Sequence, residues 1–211
     1  MKGQFLRRLM ILSCFVAVAG LSGALPAKAQ DGAEGKVQLN QDDEGDKPRV
    51  SIRPLVTFSS DHSLIYGGGS MLVRNNDGVY MSLNSFGLTP GTAVTAWWAF
   101  FNNPKQCATR PCSSADLSNP DAQASVVNAT GRVVGADGTA NFGAFRAVGD
   151  TTGANFGPGL INPKKAEIHL VIRLHGTAMV DNPDLLKEQL TTFNGGCPTG
   201  CVNVQVSVHA P

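Results

Sequence analysis

The residues best suited to chemistry in this chain are sulfur and imidazole. Four cysteines stand in two close pairs, Cys107 and Cys112 in "CATRPC" and Cys197 and Cys201 in "CPTGC"; a fifth, Cys14, lies near the N-terminus. Thiols this close can join as a cystine or share a thiophilic metal. An even number in an exported chain favours cystines. Three pairings are open, and the Pro or Gly inside each loop favours the local ones, Cys107–Cys112 with Cys197–Cys201. Such short loops remove little entropy from the unfolded chain, so these bonds are expected to fix two loops in shape. The rival is a four-cysteine zinc site. Its C-x4-C…C-x3-C spacing is looser than that of a zinc ribbon, and an oxidising compartment competes against thiolate ligands.

The four histidines are His62, His169, His175 and His209. They are weak metal candidates, copper or zinc. His169 and His175 share one strand face with Glu167 and Arg173, but six residues of strand separate them by about 20 Å. Each would need a partner from another strand, and the expected state is a hydrogen-bonded or surface histidine. "SSDHS", residues 59–63, groups Ser, Asp and His as sequence neighbours, which rarely supply the separate directions of a triad. It reads as a polar turn. "YGGGS", residues 66–70, is followed by no Lys and no helix, so it is no phosphate loop. No catalytic residue is assigned and no cofactor is expected.

A different chemistry is offered by "GLTPGTAVTAWWAFFNN", residues 87–103, which holds both tryptophans. On a strand, Trp97 and Trp98 point to opposite faces. Val94, Ala96, Trp98 and Phe100 form one apolar face; Thr95, Trp97, Ala99 and Phe101 form another that is almost as apolar. Such a strand is central and covered on both sides. The even face suits the main core. The odd face needs a lid, for which the cysteine loops and a helix over 183–193 are available, or else Trp97 and Phe101 are partly open as an apolar or sugar-stacking binding platform.

The elements that must position these residues are mostly strands. "RVSIRPLVTF" places Val50, Ile52, Val56 and Phe58 on one face, with Pro54 marking an edge strand. "SMLVRNNDGVYMSLNSF" reads as a hairpin turning at Asn75–Gly78, and "ASVVNATGRVVGADGTANFGAFRAVG" as a second turning at Gly135–Gly138. "AEIHLVIRLHG" and "CVNVQVSVHA" alternate apolar and polar. "DNPDLLKEQLTTF" is a helix capped by Asn182, with Pro183 at its first position and Leu185, Leu186 and Leu190 as its apolar stripe. The fold class expected is all-β: an antiparallel Greek-key β-sandwich, Ig-like, of about eight strands with one short helix near the C-terminus. A closed β-barrel is the alternative.

Residues 1–29 read as a signal peptide: Lys2, Arg7 and Arg8, then an uncharged apolar run, then "AKA" with cleavage after Ala29. Residues 30–48 carry six carboxylates against Lys36 and Lys47 and read as a disordered acidic linker. Residues 49–211 form the single domain. The leader holds Lys2, Arg7, Arg8 and Lys28 and no acid, so its loss takes the net charge from +1 to about −3. That argues against nucleic acid as a partner, and no later segment is apolar enough to span a membrane. The localisation expected is periplasmic or secreted.

"GLTPGTAVTAWW" followed by "VVNATGRVVGADGTANFGAF" resembles the repeat of CHRD-type domains and, more distantly, copper/zinc superoxide dismutase-like sandwiches. In those families a GL-x-PG turn leads into a strand and a later strand pair turns at DG. The resemblance covers roughly residues 70–148 and implies a β-sandwich. The dismutase strand carries a His-x-His metal pair where this chain has Thr95, Trp97 and Trp98, so the resemblance implies neither a metal ligand nor dismutase activity. The mature chain is also similar to secreted bacterial single-domain proteins, which implies export and no particular activity. The function expected is an exported β-sandwich that binds a small-molecule or surface ligand, or has a structural role in the envelope, without catalysis. The alternative is a metal-binding protein or metal-dependent enzyme using histidines of the sheet.

Overall fold

The computed structural model describes residues 47–197 and 200–211. The leader, its cleavage site and nearly all of the acidic linker lie outside them. The described residues belong to one compact unit, and none of its helices is long and apolar enough to cross a membrane.

Among the described residues, nine strands and one α-helix follow in the order β1 (Arg49–Thr57), β2 (Leu64–Arg74), β3 (Gly78–Ser85), β4 (Thr92–Phe101), β5 (Ala124–Val133), β6 (Ala140–Ala147), β7 (Ala154–Phe156), β8 (Glu167–Thr177), α1 (Pro183–Thr191) and β9 (Val202–His209). The strands form a single curled antiparallel sheet of order β6-β3-β2-β1-β9-β8-β4-β5-β7. β1 and β9 join its two halves through only two residue pairs, Val56–Val206 and Thr57–Gln205. The halves fold toward each other over one core. Leu55, Leu72, Met81 and Leu83 come from one side, and Val94, Trp98, Phe100, Leu170 and Ile172 from the other.

Two local expectations are corrected. Residues 135–138 do form the expected turn, with Gly138 at φ 74, but β5 and β6 do not form a hairpin. β5 pairs with β4 and β7, and β6 crosses to the other half to pair with β3 along its whole length. In β1, Val50 and Ile52 are exposed and Leu55 is buried. An irregularity between Pro54 and Val56 shifts the register there, and one residue of slip exchanges the two faces of a strand. β1 is not the edge strand that Pro54 suggests, since it lies between β2 and β9, but at Pro54 itself it pairs with β2 alone.

The tryptophan strand β4 lies between β8 and β5, and every residue from Ala93 to Phe101 is buried. Trp98 belongs to the main core and stacks on Phe100 with ring centroids 5.6 Å apart. Trp97, Ala99 and Phe101 belong to a second apolar cluster on the other side of the sheet. The chain thus has two apolar layers, and the second roofs a sheet face that would otherwise meet water.

Candidate functional site

The second layer is not solid. A cavity of about 400 Å³ lies over the outer face of β9-β8-β4-β5. Its floor is apolar: Trp97, Ala99 and Phe101 from β4, Val171 from β8, Val206 and Val208 from β9. Its roof comes from three segments: the β1–β2 turn with Phe58 and His62, the loop running from Pro111 to Leu117, and Phe193 just beyond α1.

Each roof segment is anchored by polar chemistry. The first cysteine loop is closed by Cys107–Cys112, and its Cys112 N–H donates to Glu167 Oε1 at 2.7 Å. The same oxygen lies 2.8 Å from His169 Nε2. Asp116 accepts from the N–H groups of Ala108 and Ser113, both at 2.7 Å, and these donors hold its carboxyl below the usual carboxylate range. In the β1–β2 turn, Asp61 accepts from the hydroxyls of Ser59, Ser63 and Thr57, and these hold its carboxyl below the usual range. "SSDHS" is thus a polar turn built on Asp61, with His62 at φ 45 on the cavity wall.

The third segment follows α1. Asn182 caps the helix by accepting from Leu185 N–H, as its sequence position suggests. The residue that docks the helix is not one of the leucines, which stay half-buried, but Gln189, which is fully buried. Its Nε2 donates toward the carbonyls of His175, Thr177 and Gly196 at 3.0–3.2 Å, and its Oε1 accepts from Met179 N–H at 3.0 Å. Helix and sheet touch at Gly131, where an added Cβ would lie 2.3 Å from the Leu190 carbonyl oxygen. Beyond the helix, Phe193 stands edge-on to Trp97, centroids 4.9 Å apart.

Trp97 and Phe101 therefore lie at the floor of a partly open cavity, with almost none of either side chain at the surface. They are 2% and 1% exposed, close to the 0% of Trp98. The face expected to be polar on β8 is also covered, with Glu167, Arg173 and His175 all buried among the roof segments. His209 lies elsewhere, between Ser51 and Ser70 with 2.8 Å to each hydroxyl; burial, reinforced by Arg74, Arg53 and His169, lowers its pKa to about 3. His62 and His169 line the cavity.

Both cystines are local, 107–112 and 197–201. The second sits against His175, whose Nδ1 is 3.2 Å from the Sγ of each of its cysteines. Among the described residues, His175, Cys197 and Cys201 are the one group of three metal-capable side chains whose donor atoms converge, all within 4.8 Å of one another. The chain matches no family model, no curated protein and no solved structure.

Sequence reasoning named Trp97, Phe101, the cystines and the histidines. It missed Thr95, Glu167, Arg173, Gln189 and Phe193 as organising residues. Only Thr95 left a trace, as the single polar residue on an otherwise apolar strand face.

Proposed function

We propose that this protein is an exported, non-catalytic binding protein whose ligand is small and largely apolar and sits over Trp97 and Phe101. The observation that carries this reading is the cavity itself. At about 400 Å³ it falls in the range of small-molecule sites, and it combines an aromatic floor with a few polar wall groups, His169, Ser113 and Asn203. Those polar groups are suited to orienting a ligand. Their hydrogen bonds run to structural partners: His169 to Glu167, and the Ser113 hydroxyl to Asp116 at 2.9 Å. Among the described residues, no serine or cysteine at the cavity is paired with a histidine as nucleophile and base would be.

Export is supported by the leader-like N-terminus and by the two cystines, which persist in oxidising compartments. The finer assignment of the fold, a Greek-key sandwich, is supported by the strand order: β1, β2 and β3 are consecutive antiparallel neighbours and β9 returns to lie beside β1.

The test uses 1-anilinonaphthalene-8-sulfonate as an apolar probe and an Ala99→Leu variant that fills the floor. Saturable one-site binding by the parent protein, lost in a folded Ala99→Leu variant, supports the reading. Equal binding by both proteins removes the cavity as the site. A second reading, metal binding, is favoured by the convergence of His175, Cys197 and Cys201.

A further inference from the structure

We propose that Cys197, Cys201 and His175 form a redox-gated site for one thiophilic d10 metal ion, Cu(I) or Zn(II), closed while the cystine is intact and opened by a dithiol reductant. This site stands apart from the cavity, and either proposal can fail without the other.

The geometry is close to that of a metal site. A metal held by two thiolates and one imidazole at about 2.3 and 2.0 Å places its nitrogen and sulfur donors roughly 3.5 Å apart. His175 Nδ1 already stands 3.2 Å from both sulfurs. The main movement required is separation of the two sulfurs once their bond is broken. The Gly195 carbonyl oxygen faces the same point, 3.1 Å from Nδ1 and 3.4 and 3.8 Å from the sulfurs of Cys197 and Cys201. Soft thiolates with an imidazole select Cu(I) or Zn(II) over harder ions.

The surroundings of His175 suit a ligand. Its ring is fully buried, while both cysteines are partly exposed, so metal and reductant have access from the sulfur side. Its other nitrogen, Nε2, lies 2.8 Å from Thr95 Oγ1, which also accepts the indole N–H of Trp97 at 2.7 Å. A hydroxyl can donate or accept. With the cystine closed, Nδ1–H donates to Gly195 and the Thr95 hydroxyl donates to Nε2. With a metal on Nδ1, the tautomer reverses and Nε2–H donates to Thr95. Metal-bound histidines are held by such outer hydrogen bonds. Gln189 ties the carbonyls of His175 and Gly196 together, which fixes the ligand strand against the loop that carries Cys197.

The gating step balances without a further co-reactant. The Cys197–Cys201 bond breaks, its sulfurs take up two electrons and two protons from the dithiol, and the dithiol becomes a disulfide. Metal binding then releases the two thiol protons to solvent.

The experiment titrates the full chain anaerobically, after reduction, with Cu(I) against bicinchoninate and separately with Zn(II) against a chromogenic chelator. The reduced protein is expected to take up one equivalent of at least one of the two metals, and the oxidised protein less than a tenth of that. Cys197→Ser with Cys201→Ser should abolish uptake. Cys107→Ser with Cys112→Ser should leave it unchanged, which excludes the other cystine as the source. Thr95→Val should weaken binding about 10–100-fold, the usual effect of removing an outer partner of a ligating histidine. No uptake by the folded reduced protein, or uptake that survives the loss of Cys197 and Cys201, overturns the proposal.

Discussion

The guanidinium carbon of Arg173 lies 4.0 Å above the centre of the Phe193 ring. The same side chain donates to the Phe193 carbonyl, to Asn194 and to Asn203, each at 2.7 Å. One arginine on β8 therefore seats the ring that closes the cavity over Trp97. The planar guanidinium supplies all of these contacts at once, which a lysine ammonium cannot do.

This relationship gives the first prediction. Arg173→Lys should release Phe193 and expose Trp97, with a stability loss of about 1.5–3 kcal/mol from the lost charge-assisted bonds. The measurement is acrylamide quenching in a Trp98→Phe background, where Trp97 is the only tryptophan. A clear rise in quenching is expected. Unchanged quenching means the roof is held by something other than Arg173.

The two tryptophans give the second. Both are shielded, so truncating either to alanine should cost about 3–5 kcal/mol, rather than less at Trp97 as an open face would imply. Replacement by phenylalanine should separate them. Trp97→Phe deletes the donor to Thr95, whereas Trp98 Nε1 has no hydrogen-bond partner among the described residues. Trp97→Phe is therefore expected to be the more destabilising of the two, by about 1 kcal/mol in urea unfolding.

His209 gives the third. Its folded pKa of about 3 lies below the ordinary value of 6.5, so between these pH values the unfolded chain binds a proton that the folded chain refuses. Stability contributed by neutral His209 is complete above about pH 6.5 and is lost as pH falls toward 3. The slope is at most about 1.4 kcal/mol per pH unit. His209→Gln, which can keep hydrogen bonds to Ser51 or Ser70, should flatten that part of the stability curve. A curve of unchanged slope would show that His209 is not the group responsible.

What the sequence discloses and what it hides divide along a physical line. The double burial of β4 was legible because both parities of residues 93–101 are apolar. The local cystines and the cap at Asn182 were legible because each is written in a few neighbouring residues. Three things were hidden. The separation of β5 from β6 depends on which distant strand wins the pairing. The exposure of Val50 and Ile52 depends on one irregularity near Pro54. The burial of Arg173, His175 and Gln189 was hidden because alternation marks polar residues without saying what will cover them. The convergence of His175 with Cys197 and Cys201 joins two segments about 20 residues apart in sequence that no spacing rule connects.

Gln189 shows how much can hang on such a covered polar group, and it gives the last prediction. Its amide serves backbone groups from three places: His175 and Thr177 on β8, Met179 just after it, and Gly196 in the loop beyond α1. Gln189→Leu keeps most of the volume but removes those four hydrogen bonds. An unpaired buried backbone group costs about 1–3 kcal/mol, and of these bonds the one to the His175 carbonyl is fully buried, so the variant should lose about 1–3 kcal/mol or release the helix from the sheet. Gly131→Ala attacks the same junction from the other side, since the Leu190 backbone leaves no room for a methyl group. Amide hydrogen exchange tells local release from global loss. Faster exchange confined to residues 183–196 in both variants, with β2 and β3 still protected, is the expected result. Protection of that segment equal to the parent in Gln189→Leu would show that α1 is held by its leucines after all.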